Sequence, residues 1–144
     1  MANAKEVAEK LRALNIEDIV DKAMRFGVNQ GTTDIVDRIF EKSEDTKGGT
    51  LGKYSKSYAK IREKKGKQTA VVDLQFDKDL IRSVKEAFGE NKYVIEIKEP
   101  LNVAKARGYE KRKGLDVFSG SDKEVERIIE LINEQFKIGV ESAI

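Results

Sequence analysis

The residues with the clearest catalytic spacing are one aspartate, one glutamate and one lysine in the middle of the chain. Asp73 lies in a run of alternating apolar and polar residues, and Glu96 precedes Lys98 by two residues in a second such run. A magnesium-dependent nuclease of the restriction-endonuclease type uses this combination, because carboxylates hold the metal ion and the lysine orients the attacking water. The alternative is that Glu96 and Lys98 are the solvent face of an amphipathic strand. Since the pattern is weak in a chain that is 38% charged, we predict no metal-dependent catalysis.

The composition removes most other catalytic chemistry. The 144 residues include no His and no Cys, which excludes the commonest general base, the thiolate nucleophile and the thiolate zinc site. Gly48, Gly49 and Gly52 precede lysines, but no Gly-Lys-Ser/Thr motif follows a strand, so a phosphate-binding loop is excluded as well. We therefore expect a protein that is not an enzyme and that uses neither a cofactor nor a metal.

Basic and acidic residues are separated along the chain, although the net charge is only +2. Residues 47–67 contain eight Lys and Arg residues against the single acid Glu63, and residues 105–113 contain a second basic group. Acids are in excess in residues 15–45 and 116–134. Opposite patches on one molecule favour head-to-tail contact between identical copies, which closes into a ring where the rotation permits.

We call residues 47–67 the basic arm. Tyr54 and Tyr58 are four residues apart and Ile61 follows three further on, which predicts a helical face that docks on a core while the lysines point to solvent. We predict that the arm contacts another subunit or a neighbouring protein, and that it is poorly ordered in the free protein. Two alternatives stay open: contact with a nucleic-acid backbone, with bases stacked on the tyrosines, and a solvated helix and loop without a partner.

The candidate partner-binding residues come from the basic arm and from the second basic group. No motif that recognises base edges accompanies them, so sequence-specific DNA binding is not predicted. They would contact either another protein subunit or DNA, and they are Lys53, Tyr54, Lys56, Tyr58, Lys60, Arg62, Lys64, Lys65, Lys67, Arg107, Lys111, Arg112 and Lys113.

The periodicity of apolar residues predicts a single α+β domain over residues 1–144, with helices packed on a small antiparallel β-sheet. Alternation predicts strands at Gln68–Phe76 and Tyr93–Ile97, and Pro100 is expected to end the second strand. Residues 80–88 fit either a helix or a broken strand, and we favour a helix or turn. The predicted order of segments is N-terminal helices at 4–43, the basic arm at 47–67, a sheet region at 68–99, a long basic loop at 101–118 and a C-terminal helix at 121–137.

Helix signals are clearest near the two ends of the chain. Asn15 is placed to cap a second helix, and Thr32 or Thr33 to cap a third stretch, which is either one kinked continuation of the second helix or a separate helix. Ser121 and Glu124 form a capping box ahead of the last helix. The apolar residues that follow at helical spacing are predicted to pack into the core: Val125, Ile128, Ile129, Ile132 and Phe136.

Nothing in the sequence indicates secretion or membrane insertion. The first residues, MANAKEVAEKLRAL, contain no apolar run of signal-peptide or membrane-spanning length. The absence of Cys gives no sign of an oxidising compartment. We expect a soluble intracellular product with no membrane partner.

Several short motifs follow one another along the chain. They are Ile39-Phe40, Gly48-Gly49, Ser55-x-x-Tyr58, Lys65-Gly66, Val72-Asp73-Leu74-Gln75-Phe76, Asp79-Leu80-x-x-Ser83 and the stretch Arg112 to Asp122. In this order, over about two-thirds of the chain, they resemble the small virion morphogenesis proteins of tailed bacteriophages. That group includes tail-completion, neck and head-to-tail joining proteins. The chain departs from the family pattern at Asp77-Lys78, where Thr-Gly is usual, and it lacks the usual Trp after the glycine loop. Its Val117-Phe118-Ser119-Gly120 is a looser version of the Phe-Leu-Gly step of the family.

The resemblance implies a structural, non-enzymatic virion protein that is made in the host cytoplasm. It implies a homo-oligomeric ring at the neck, a head-to-tail connector around the channel through which DNA passes. The expected partners are the neighbouring portal, adaptor or tail proteins, with non-specific contact with packaged DNA as a further option. The resemblance does not determine the copy number of the ring, or whether the ring lies on the portal side or on the tail side of the neck.

Overall fold

The computed structural model of the chain describes residues 3–74 and 79–144. These residues form six α-helices, one π-helical turn and one two-stranded sheet. In chain order the elements are α1 (Ala4–Arg12), α2 (Ile16–Val36), the π-helical turn (Asp37–Glu41), α3 (Lys56–Lys64), α4 (Asp79–Ser83), β1 (Val84–Gly89), β2 (Lys92–Ile97), α5 (Pro100–Lys113) and α6 (Asp122–Ala143). The predicted α+β class, with helices packed on a small antiparallel sheet, is confirmed.

The two longest helices, α2 and α6, pack against each other in antiparallel directions. Their contacts place glycines of one helix against isoleucines of the other: Gly31 against Ile128, Gly27 against Ile132 and Ile19 against Gly139. A Cβ atom added at Gly27 would lie only 2.4 Å from Cγ1 of Ile132. The glycines are therefore what allows the two helix axes to come this close.

Helix α2 begins where the sequence predicts, and it continues through the stretch that could have formed a separate third helix. The Asn15 side chain accepts a hydrogen bond from the Asp18 amide at 3.1 Å, as an N-cap should. Thr32 caps nothing, because its hydroxyl donates to the Val28 carbonyl within the same helix at 3.2 Å. The chain stays helical to Glu41, so of the two alternatives for this stretch the single helix is correct.

Helix α6 confirms the capping box but not the predicted core stripe. The Ser121 hydroxyl accepts from the Glu124 amide at 3.2 Å, and the Glu124 carboxylate accepts from the Ser121 amide at 2.9 Å. Ile128 faces α2, whereas Val125 is 46% exposed and Ile129 is 52% exposed. The prediction of a buried core stripe is wrong, since none of its five residues is buried and Ile128, Ile132 and Phe136 are only half-buried. The reason is that α6 packs mainly on one helix and buries only a narrow strip of its surface.

The sheet consists of β1 and β2, paired antiparallel from Val84 with Ile97 to Gly89 with Lys92. The predicted strand at Tyr93–Ile97 is confirmed. Residues 80–88, for which we favoured a helix or turn, divide between α4 and β1 at Ser83, so that prediction is correct for residues 80–83 and wrong for residues 84–88.

The first predicted strand, Gln68–Phe76, is wrong over its described residues, since residues 67–74 have no regular structure and the last two lie outside the described residues. The Gln68 side chain explains the difference. Its amide donates to the Val71 carbonyl at 2.8 Å and accepts from the Val71 amide at 3.1 Å. These bonds occupy backbone groups that a strand would offer to a neighbouring strand.

The predicted basic loop at 101–118 is also wrong, because most of it forms α5. Pro100 occupies the first turn of this helix, where its missing amide hydrogen costs nothing, and Gly114 ends it in a left-handed conformation with φ of 63°. The buried residues of α5 are Asn102, Ala106 and Tyr109. The helix escaped prediction because this buried stripe contains one polar residue and one small residue instead of large aliphatic side chains.

The main core lies beside the long helix pair, where the π-helical turn, the basic arm, α4, β1 and α5 meet. Its buried members are Ile35, Ile39, Phe40, Leu51, Val72, Leu80, Val84, Ala106, Tyr109 and Val117. The Tyr109 hydroxyl donates to the Leu51 carbonyl and so joins α5 to the basic arm. Among the described residues, no helix is both long enough and apolar enough to cross a membrane.

The close approach of α2 and α6 can be tested at two glycines. We expect Gly27→Ala to lower the free energy of unfolding by about 1–2 kcal/mol, because the new methyl group would overlap Ile132. The matched control is Gly108→Ala in α5, where the nearest atom, Nη1 of Arg112, would be 3.6 Å away. That change should raise stability by about 0.5–1 kcal/mol through helix propensity. Urea unfolding measures both effects, and a stabilising Gly27→Ala would contradict the close packing.

Candidate functional site

A cleft lies where the two basic segments of the sequence meet. It has a volume of about 560 Å³ and lies between the start of α3 and the face of α5 that carries Lys105, Tyr109 and Arg112. We call it the basic cleft, and its lining residues are Lys53, Tyr54, Ser55, Tyr58, Val72, Leu74, Leu80, Lys105, Tyr109, Arg112 and Lys113.

The basic cleft brings together candidate residues from both segments, namely Lys53, Tyr54, Tyr58, Arg112 and Lys113. Outside its lining lie the candidates Lys56, Lys60, Arg62, Lys64, Lys65, Lys67, Arg107 and Lys111. Lys105 belongs to the second basic group but was not among the predicted partner-binding residues, and neither were the apolar residues of the floor. Lys105, Tyr109 and Arg112 follow each other at spacings of four and three, so this helical face would have been identified if α5 had been predicted.

Helix α5 presents its cations to the cleft through its ordinary helical geometry. Tyr109 points inward, and Lys105 and Arg112 lie exposed about one turn before and after it. The last turn of α5 carries Lys111, Arg112 and Lys113. Positive charge is favourable there because the carbonyl ends of a helix carry partial negative charge. The helix thus supports a group of cations whose mutual repulsion would otherwise be costly.

The basic arm is folded, and only part of it is a solvated surface. Ser55 caps α3 by accepting a hydrogen bond from the Tyr58 amide at 3.3 Å. The rings of Tyr54 and Tyr58 pack edge to face with their centroids 5.2 Å apart. The structure therefore does not show the poorly ordered arm that we predicted, because the central part of the arm is a helix anchored on the core.

Arg62 is the anchor of the basic arm. Its side chain is only 1% exposed, its Nε donates to the Gln68 carbonyl at 3.0 Å, and its Nη2 donates to Asp73 at 3.2 Å. The guanidinium also lies 4.5 Å from the centre of the Tyr54 ring. The prediction that Arg62 contacts a partner is wrong. A buried guanidinium must be paired, and Asp73 pairs it inside the fold.

The same network removes Asp73 from the proposed metal site. Its carboxylate accepts from Tyr54 at 3.0 Å and from Gln68 at 2.7 Å, in addition to Arg62. Asp73 does not lie on a strand beside β2, where Glu96 is exposed and paired in register with Lys85. Among the described residues, no three acidic side chains are grouped so that they could hold a metal ion. The geometry therefore gives the nuclease interpretation no support.

The tyrosine hydroxyls of the cleft take part in folding. Burial raises the pKa of Tyr54 above its usual value of 10.0, and the Asp73 carboxylate that accepts its hydrogen bond acts in the same direction. Burial likewise raises the pKa of Tyr109. Both phenols thus stay protonated and donate inside the protein, Tyr54 to Asp73 and Tyr109 to Leu51.

The basic cleft has a positively charged rim and an apolar floor, and both could contact a ligand. The rim consists of Lys53, Lys105, Arg112 and Lys113, and no carboxylate occurs among its described lining residues. The floor consists of Val72, Leu74 and Leu80. Such a surface suits an anionic group that also carries apolar atoms, since the floor gains from water exclusion while the rim gains from opposite charge.

The role of the Arg62 network can be tested with one isosteric change. Asp73→Asn leaves the buried Arg62 without its counter-charge, so we expect the free energy of unfolding to fall by about 3 kcal/mol. The matched control is Glu63→Gln, the same chemical change at an exposed neighbour of Arg62, which should stay within about 0.5 kcal/mol of the wild type. Equal losses of unfolding free energy for the two variants in urea would show that the buried ion pair stabilises the fold no more than an exposed carboxylate does.

A second test uses alkaline pH. Because the folded-state pKa of Tyr54 and Tyr109 lies above the unfolded value, their contribution is complete below about pH 10 and is lost as the pH rises through the folded value. Tyr54→Phe with Tyr109→Phe should therefore make the loss of unfolding free energy between pH 9 and about pH 11 less steep than in the wild type. Parallel slopes of the two proteins in urea unfolding would contradict the burial of these phenols.

Comparison with known proteins adds no family. The chain matches no protein-family model, no curated protein sequence and no solved structure. The resemblance to phage morphogenesis proteins therefore stays a prediction from the order of short motifs. The function has to be argued from the basic cleft.

Proposed function

We propose that this protein is a structural subunit of a tailed-phage virion, a ring-forming protein of the head-to-tail connector, and that it binds its neighbours through the basic cleft. The observation that carries the proposal is the convergence of two basic segments, some fifty residues apart, on one cleft with an apolar floor. The order of the sequence motifs supports the same class of protein.

The charge of the cleft argues for a partner. Four cations surround a cavity of about 560 Å³, with no carboxylate among the described residues that line it. Like charges at this density repel one another, and a bound anionic surface would relieve that repulsion. The attraction should weaken with salt, because exposed charges are screened beyond about 8 Å at physiological ionic strength.

The state of the candidate catalytic residues favours a binding protein over an enzyme. Asp73 is engaged by Arg62, Tyr54 and Gln68. The chain contains no His or Cys that could replace it as a general base or nucleophile. A charged cleft whose described lining residues include no carboxylate, His or Cys is better suited to binding a partner than to acid–base or nucleophilic catalysis.

DNA is the second candidate ligand of the basic cleft, because phosphates would also satisfy its four cations. Base stacking has less support. One face of the Tyr54 ring is covered by Arg62, and the Tyr58 ring packs edge to face against the Tyr54 ring. We therefore place a protein neighbour first, with DNA as the alternative that the experiment must separate.

The proposal predicts that reversing charge in the cleft prevents assembly. In Lys105→Glu with Arg112→Glu, two rim cations become acids and would repel an acidic neighbour. We expect the wild type to form a closed ring, by native mass spectrometry and sedimentation, or to enter particles of the phage that encodes it. The variant should remain a monomer and stay out of particles.

The matched control reverses two exposed lysines away from the cleft, Lys5→Glu with Lys92→Glu, and should assemble normally. A wild type that neither forms rings nor enters particles would overturn the proposed function. If the cleft variant assembles but loses binding to duplex DNA in fluorescence anisotropy, the cleft is a DNA contact and the second candidate replaces the first.

A further inference from the structure

The exposed face of α6 carries the groups that the basic cleft lacks. From this complementarity we infer that residues 125–134 of α6, from a second copy of the chain, occupy the cleft. The inference rests on the proposed function and names the partner surface of the same site.

The apolar part of this face consists of two side chains that the fold leaves uncovered. Val125 is 46% exposed and Ile129 is 52% exposed, one helical turn apart. They lie outside the contact of Ile128 and Ile132 with α2. Two large aliphatic residues on adjacent turns form the kind of narrow apolar strip that a helix buries in a groove.

An acidic row lies beside the apolar strip. Glu126, Glu130 and Glu134 are all exposed and follow each other at intervals of four residues. Within the described part of the chain, none of the three has an ion-pair partner within 4.0 Å. Like charges at this spacing destabilise a helix, so the row is unfavourable in the isolated molecule and becomes favourable against a positive surface.

The two surfaces agree in dimension as well as in charge. The acidic row spans eight residues of helix, which is about 12 Å. The rim cations Lys105 and Arg112 are seven residues apart on α5, which is about 10.5 Å. When the acids meet this rim, Val125 and Ile129 are next to them and can cover the apolar floor formed by Val72, Leu74 and Leu80.

The contact would be head to tail. The cleft is formed by the basic arm, α4 and α5, whereas α6 packs mainly along α2, so the two surfaces belong to different parts of one molecule. Each copy that gives its α6 to one neighbour keeps its own cleft for another. Repetition of such a contact closes a ring when the rotation permits, and otherwise extends a filament.

A charge exchange tests the pairing directly. Lys105→Glu with Arg112→Glu places acids at the two rim positions that would face the acidic row, and Glu126→Lys with Glu130→Lys places lysines at two of the three positions of that row. Each pair alone should weaken assembly by at least about 100-fold, because like charges would then meet across the interface. A chain with all four substitutions again has opposite charges in contact and should recover assembly to within about tenfold of the wild type.

The control for this recovery keeps the net charge and moves the new lysines elsewhere. It combines the two cleft substitutions with Glu9→Lys and Glu90→Lys, at exposed positions of α1 and of the hairpin turn. This chain should stay dissociated, because its total charge equals that of the recovered chain but its α6 is still acidic. Recovery in this control would show that net charge, and not pairing, governs assembly.

The outcomes separate the inference from the proposed function. If the wild type assembles, in solution or in particles, and the α6 reversal assembles equally well, the inference is overturned and the connector function stands. The same holds if the four-substitution chain fails to recover. If the cleft reversal removes only DNA binding, the occupant of the cleft is DNA. If the wild type assembles nowhere, both proposals fail.

Discussion

The fold depends on a buried ion pair between Arg38 and Glu124. Arg38 is 7% exposed, and its Nε donates to both oxygens of Glu124 at 3.0 Å. Its remaining nitrogens donate to the carbonyls of Glu44, Val117 and Ser119 at 2.8–3.1 Å. A buried guanidinium is tolerated only when it is paired and fully hydrogen-bonded, and this one satisfies both conditions. One side chain therefore joins the π-helical turn, the loop after it, the loop after α5 and the first turn of α6.

A second buried arginine determines what the basic surface looks like. Arg62 is neutralised inside the fold by Asp73 and covered by Tyr54, so the most deeply buried cation of the basic arm has its charge satisfied within the molecule. Other cations, among them Lys105 and Arg112, face outward and line the rim of the cleft. The network of Arg62, Asp73 and Tyr54 helps to position the apolar floor between them. The two arginines thus have structural roles, and the assembly proposals rest on the cations that remain exposed.

Local signals in the sequence determined those parts of the fold that depend on neighbouring residues. The Asn15 cap and the box formed by Ser121 and Glu124 were predictable, because a cap needs only a side chain and an amide two or three residues away. The strand at Tyr93–Ile97 was predictable from its two-residue period. At Gln68 the same kind of evidence failed, since alternation cannot show that a side chain will bond the local backbone in place of a neighbouring strand.

The candidate site depends on long-range packing, and here the sequence determined only which charged residues are present and how they are distributed along the chain. It showed two basic segments and the separation of charge, but not that a helix would bring Lys105 and Arg112 to the edge of the basic arm. It also could not show that Arg62 is buried or that Ile129 is exposed, because both side chains occur in a pattern that suits the opposite location. Only the tertiary structure decided these points, since burial depends on which element lies opposite, and glycine contacts between α2 and α6 leave part of α6 uncovered.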